Sequence, residues 1–145
     1  MPPSRGLRNN NPGNIRHGGS AWVGASVAQT DPDFLQFSSP GWGLRAIART
    51  LLTYGRKRRA ADGSPIDTLG EIITRWAPPG ENDTAAYIAD VAKRTGLDPD
   101  RVLNLQDQPT LRLLTDAIVH HENGGNPFSS NAIADAVQLA FIDAD

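Results

Sequence analysis

Cysteine is absent from the 145 residues, which excludes disulfides, thiolate metal sites and cysteine nucleophiles. The absence leaves the redox compartment open. Long hydrophobic runs are missing too. No stretch reaches the ~18 apolar residues of a membrane span, so stable membrane insertion is not expected. An excess of one charge is also lacking. Asp and Glu total 16 against 14 Lys and Arg, a net charge of -2. A general electrostatic hold on nucleic acid is therefore not expected. The N-terminus, Met1-Pro2-Pro3-Ser4-Arg5, has no apolar core behind its charge and does not read as a signal peptide. The expectation is a protein made in the cytoplasm. A target outside it would need delivery by a holin, a virion or a secretion machine.

What is present suits one small domain over 1–145, expected to be a monomer. Hydrophobic residues make up 39%, enough for a single modest core. Gly (14) and Pro (11) point to structured turns between short elements. The basic run Arg56-Lys57-Arg58-Arg59 reads as the solvated end of a helix, where cations suit the macrodipole. Its second reading is a patch that meets an anionic polymer such as a cell envelope.

Residues 1–24 read as irregular, rich in the turn formers Asn9, Asn10, Asn11, Pro12, Gly13 and Asn14. Such a segment is either disordered or held by side-chain hydrogen bonds, and Asn suits the second because its amide donates and accepts. Ala25–Ala28 and Asp33–Phe37 are expected to pair as a small hairpin. Apolar residues then recur at helical spacing through Leu44, Ile47, Ala48, Leu51 and Leu52, which predicts a helix over 40–58. Thr68-Leu69-Gly70-Glu71 has the form of a capping box and opens a helix ending at Trp76. Asn82 or Asp83 caps the next, which Gly96 stops. Asp98-Pro99 predicts a short helix, Pro109 opens one that reaches Glu122, and a last helix covers 130–142. The class is mainly α.

The chemistry concentrates at Glu122. Leu111, Leu114, Ile118 and Glu122 share one helix face. A carboxylate at the end of an apolar stripe is unusual, because Glu is rarely buried without a partner. Burial favours the protonated acid, which is the form glycosidic cleavage needs. The bland alternative is a frayed helix end that faces water. The following Asn123-Gly124-Gly125-Asn126-Pro127 is a tight polar turn that would leave a groove beside the carboxyl group.

Glu81, in Pro78-Pro79-Gly80-Glu81-Asn82-Asp83-Thr84, is the rival carboxylate. It reads either as an acid favoured at a helix start or as a base or stabiliser across a cleft from Glu122. Thr84 and Tyr87 sit one helical turn apart and could line that cleft. Trp22, among glycines and polar residues, is the best candidate for stacking on a sugar, whereas Trp42 is expected in the core. Adjacent His120 and His121 point about 100° apart and do not share an ion easily, so no metal site is expected.

Glu122-Asn123-Gly124-Gly125-Asn126-Pro127, followed by Ser130-Asn131-Ala132, resembles the catalytic "E-S-G-x-N-P" segment of lytic transglycosylases in the lysozyme superfamily. Asn10-Asn11-Pro12-Gly13-Asn14-Ile15-Arg16, with Trp22-x-Gly24 and Phe37-x-Ser39 after it, resembles a stretch of bacterial glucosaminidases. Trp76 to Tyr87 falls where that family has "Y-A-T-D-P-x-Y". There the catalytic helix precedes the Asn-Asn segment, whereas here the candidate helix follows it, which suggests a circular permutation. The opening from Arg5 to Arg16 is also similar to the start of phage proteins of cell-wall-degrading type.

These resemblances imply a lysozyme-like, two-lobed α domain that cleaves peptidoglycan glycan strands, with Glu122 as the general acid. Asn11, Asn14 and Asn126 would bind substrate, and Tyr87 would contact sugar or steady its developing positive charge. No metal or organic cofactor is implied. The alternatives are a non-catalytic phage structural or wall-binding module and a peptidoglycan endopeptidase.

Overall fold

A computed structural model describes residues 3–19, 21–60 and 62–142. The architecture is mainly α. Among the described residues the helices are α1 (Arg5–Arg8), α2 (Pro40–Lys57), α3 (Leu69–Trp76), α4 (Thr84–Thr95), α5 (Gln108–Asn123) and α6 (Ser130–Ala140). No helix among them is long and apolar enough to cross a membrane.

The α2 helix is the organising element. Leu44, Ile47, Ala48, Leu51 and Leu52 are buried at helical spacing, and the helix packs on α5 and α6. Together with Ile72 and Ile73 of α3, Val91 of α4, Leu114 and Ile118 of α5 and Val137 of α6, they form the main core. Ala46, on the other side of α2, closes a second, smaller cluster with Leu35 and Phe37, flanked by Ile15, Trp22 and Trp42. Trp42 thus belongs to a core, though a half-buried one. The guanidinium of Arg49 donates to the Ala140 carbonyl at 2.8 Å, so α2 also satisfies the last turn of α6.

Local sequence accounts for most helix boundaries. The Thr68–Glu71 capping box forms in full. Asp83, Asp107 and Ser129 accept from the backbone N–H three residues on, each such cap contributing about 1 kcal/mol. Gly96 and Gly124 close α4 and α5 in the left-handed conformation.

Three expectations need correction. The irregular N-terminal segment contains the one-turn helix α1, capped by Ser4. Asp98-Pro99 opens a turn, not a helix. The Asp98 carboxylate accepts from Asp100 N at 2.8 Å, and the Pro99 carbonyl accepts from Gly70 N at 3.0 Å. This local bonding replaces a helical start and ties the segment to α3. The hairpin reduces to an isolated bridge between Ala25 and Phe37, and the 33–35 stretch pairs instead with the N-terminal segment through an Arg16–Phe34 bridge. Side chains take the ladder's place. The Gln29 side chain donates to the Gln36 carbonyl and accepts from the Gln36 N–H across the loop, and Asp31 accepts from the amides of Asp33 and Phe34.

Asparagine side chains fix the N-terminal segment. Asn11 is fully buried; its amide donates to the carbonyls of Ile15 (2.9 Å) and Leu35 (2.8 Å) and its oxygen accepts from Ile15 N. Asn10 and Asn14 adopt φ of 53° and 50°, a region Asn tolerates better than most residues. The segment lies directly on α2, since a Cβ at Gly43 would collide with the Asn10 carbonyl. That packing carries Asn14 to the end of α5.

Candidate functional site

Glu122 lies in the last turn of α5, one residue before the helix ends. Leu111, Leu114 and Ile118 on its face are fully buried, while Glu122 itself is half-buried. The apolar stripe therefore runs out of the core and ends on a carboxylate. Gly124, at φ 71°, turns the chain away without the penalty a Cβ would bring.

Asn123 holds this helix end against the N-terminal segment. Its amide donates to the Pro12 carbonyl at 2.7 Å and to Val119 O at 2.9 Å. Its oxygen accepts from the Ser4 hydroxyl at 2.5 Å. Gly6 is needed at this junction, because a Cβ there would come within 3 Å of oxygens of Asn11, Asn14 and Asn123.

Both carboxylate oxygens of Glu122 accept a hydrogen bond. Asn14 Nδ2 donates to Oε1 at 2.9 Å and the Tyr87 hydroxyl donates to Oε2 at 2.8 Å. An ionised carboxylate offers about four acceptor positions, so two remain for a proton or a ligand. Tyr87 is only 2% exposed. Burial first, and then the Glu122 charge, push its phenol well above the ordinary tyrosine range, so it stays a neutral donor. The imidazole of His121 stacks on the Tyr87 ring, with centroids 3.7 Å apart. His121 Nδ1 lies 2.8 Å from Asp90 Oδ2, and Asp90 also accepts from Arg94 at 3.1 Å. The His121 hydrogen bond, helped by Arg94, holds the Asp90 carboxyl below its usual value despite desolvation.

Glu122 opens onto a cleft of about 380 Å³, within the range of small-ligand sites. Asn14 and Arg16 of the N-terminal segment and Phe34, bridged to it, line one side, Thr50 and Tyr54 of α2 another, and Arg75, Trp76, Glu81 and Asn82 a third. The two sequence-predicted carboxylates, Glu122 and Glu81, thus line one cleft. Glu81 lies in a turn before α4 and is exposed, whereas Glu122 is gripped from two sides. That asymmetry suits one positioned acid and one group free to meet water.

The other expected binding residues divide. Asn14 is at the cleft, but its amide is committed to Glu122, and its own oxygen is buried with no hydrogen-bond partner among the described residues. Trp22 is half-buried, edge-on to Phe37 at 6.4 Å, and lines an adjoining groove. Asn11 is spent inside the N-terminal segment. Thr84 is buried and donates to the Ala77 carbonyl at 2.6 Å, fixing the bend between α3 and α4. Asn126 donates to Asp116 at 2.5 Å and accepts from Phe128 N, which shapes the α5–α6 loop away from the cleft. Tyr87 reaches Glu122 from behind and is too buried to be a sugar contact.

Sequence reading missed Arg16, Phe34, Tyr54 and Arg75 as cleft residues, and the His121–Asp90 pair. Tyr54 had a signal, as a hydroxyl on the buried face of α2. The others come together only through the tertiary fold.

A mainly α protein with a carboxylate-centred cleft is the class that fold and site define. No protein-family model matches the chain. Over 141 residues it is 39% identical to Protein P5 of Pseudoalteromonas phage PM2, a match that covers 95% of this chain and 82% of that protein. The chain belongs to the family of that bacteriophage protein.

Proposed function

We propose that this protein is a peptidoglycan-degrading enzyme of lysozyme-like type, cleaving glycosidic bonds of the glycan strand with Glu122 as general acid. The observation that carries the reading is the setting of Glu122. It is a half-buried carboxylate held by Asn14 and Tyr87, at the edge of a cleft that also presents Glu81, Trp76 and Tyr54. The two donors fix the orientation of the carboxyl group, and positioning of this kind is what proton transfer to a bound substrate demands.

In this mechanism the Glu122 proton passes to the glycosidic oxygen as the bond from that oxygen to the anomeric carbon breaks. The bonding pair leaves with the oxygen, and positive charge develops on the ring. Either a group of the sugar itself or a water beside Glu81 then attacks the anomeric carbon. An attacking sugar hydroxyl gives its proton to the ionised Glu122, whereas a water attacking beside Glu81 gives its proton to Glu81, and Glu122 is then reprotonated from solvent. Trp76 offers a flat apolar face to a sugar ring, and Arg16 and Arg75 offer donors to its polar substituents. Lysozyme-like architecture, with walls formed by the N-terminal segment and the α3–α4 turn, belongs to the same proposal. So does delivery to the cell wall by phage machinery, which the phage relative supports.

A second reading is a wall-binding phage module without turnover. The donors on both Glu122 oxygens favour it, because the same bonds would also serve a purely structural carboxylate.

Incubation of the protein with isolated peptidoglycan, followed by mass spectrometry of the soluble products, tests the proposal. Release of glycan fragments with new sugar ends supports it, and anhydro ends would identify a transglycosylase. Sedimentation with the walls and no release would establish the binding module. Release of peptides alone would overturn both readings.

A further inference from the structure

A second groove, of about 310 Å³, opens beside the first and is lined by Trp22, Thr53, Lys57 and Arg58, with Thr50 and Tyr54 shared between the two. The two spaces therefore meet along one face of α2. Their charge differs. Arg16 and Arg75 offset Glu81 and Glu122 in the first. Among the described residues the second is lined by Arg49, Lys57 and Arg58 and by no carboxylate, in a chain whose net charge is -2. Arg49 is committed to the end of α6. Lys57 and Arg58 are exposed and make no ion pair among the described residues.

Helix-dipole complementarity explains a cation in the last turn of α2. It does not explain an aromatic side chain facing the same groove. Trp22 is held edge-on by Phe37, which leaves its ring a fixed, half-buried platform. Tyr54 stands where the grooves meet. Burial pushes its phenol up to about 12, while Arg75 from one groove and Arg58 from the other pull it down. Cations of both arms therefore act on one point at the junction.

We propose that the Trp22–Arg58 groove is a second binding arm, which takes a carboxylate-bearing unit of the same glycan whose backbone lies at Glu122. Trp22 receives a sugar face, and Lys57 and Arg58 receive the carboxylate. The inference rests on the proposed glycan substrate, and it adds the demand that the ligand be anionic beyond the cleavage point. A neutral polysaccharide would fill the first groove only.

The test uses the Glu122→Gln protein, which removes cleavage while leaving the cleft its shape, and a parallel Glu122→Gln/Lys57→Gln/Arg58→Gln protein. Each is titrated at low salt with soluble peptidoglycan strands and with the same strands after amidation of their carboxylates. Folding is matched by circular dichroism. Each exposed charge pair is worth up to about a factor of five, so removing both cations is expected to weaken binding of the native strands roughly tenfold, less at high salt. Amidation should cost the Glu122→Gln protein the same factor and the triple variant nothing. Equal affinity of both proteins for native strands would overturn the arm. So would an equal loss on amidation in both, or tighter binding of DNA than of the strands. Strands stripped of their peptides locate the carboxylate. Retained discrimination places it on the sugar and lost discrimination on the peptide, and both support the arm. Cleavage by the wild-type protein, measured alongside, separates the two ideas: strands cut normally by a Lys57→Gln/Arg58→Gln protein of unchanged affinity sink the arm and leave the enzyme standing. Strands that neither bind nor are cut sink both.

Discussion

Tyr87→Phe removes one oxygen from the site and nothing else. The phenyl ring keeps the stack on His121 at 3.7 Å and the burial that holds it at 2% exposure. What disappears is the 2.8 Å hydrogen bond to Glu122 Oε2, together with the weaker interaction of the hydroxyl with the Trp76 side chain. Hydrogen bonds to charged groups contribute about 1.5–3 kcal/mol, and each ~1.36 kcal/mol is tenfold in rate. If the bond holds Glu122 in its working orientation, kcat on soluble glycan strands should fall about 10- to 100-fold. KM should stay within about twofold, because a phenol behind the carboxylate does not touch substrate and uniform binding is left intact. The assay is release of soluble sugar ends over a range of strand concentrations, with thermal melting as a control for folding. An unchanged kcat would refute the positioning role. A rise in KM alone would refute the geometry and restore Tyr87 as a direct sugar contact.

Other consequences follow from the same contacts. Gly43→Ala places a methyl group on the Asn10 backbone carbonyl, and neither helix nor loop can give way cheaply. Overpacking of this kind costs about 1–3 kcal/mol, read as a lower melting temperature, with activity falling as Asn14 shifts from Glu122. Both tyrosines of the chain have phenol pKa values raised chiefly by burial, Tyr54 to about 12 and Tyr87 further. Because the folded values lie above the unfolded ones, their contribution to stability is complete below about pH 10. It is lost as pH rises through the folded values. Ultraviolet titration should accordingly show no tyrosinate near pH 10 in the native protein and both tyrosinates appearing together on alkaline unfolding. One tyrosine titrating normally at pH 10 would contradict the burial described.

Helices were legible wherever a local rule sufficed. The Thr68–Glu71 box, the Asp83 cap and the glycines at 96 and 124 act through hydrogen bonds a few residues apart, and the structure keeps each of them. Asp98-Pro99 misled because the same Asp that caps a helix also closes a turn on its own backbone, and the Gly70 amide decides between them. The hairpin misled for a related reason: glutamine and aspartate side chains satisfied the backbone before a ladder could. At the site, the face shared by Leu111 and Glu122 was readable from spacing alone, and so was the second carboxylate at 81. The fate of the asparagines was not. Asn11, Asn14 and Asn126 look alike in sequence, yet one is a buried brace, one grips Glu122 and one shapes a loop. An amide's role depends on which groups the fold places within about 3 Å of it, and that is tertiary information. The placing of His121 beside Asp90 came from packing of α4 on α5 and had no sequence signature.

The central claim is that Glu122 donates a proton in the cleavage of peptidoglycan glycan strands. Digestion of purified walls by the wild-type and Glu122→Gln proteins, with products identified by mass spectrometry, tests it most directly. The amide keeps the shape of the side chain and cannot act as the acid. Cleavage by the wild type, with a loss of about two orders of magnitude or more in the variant, is the predicted result. A variant that still cleaves would shift the chemistry to Glu81 and contradict the account. A folded wild-type protein that releases nothing would contradict it altogether.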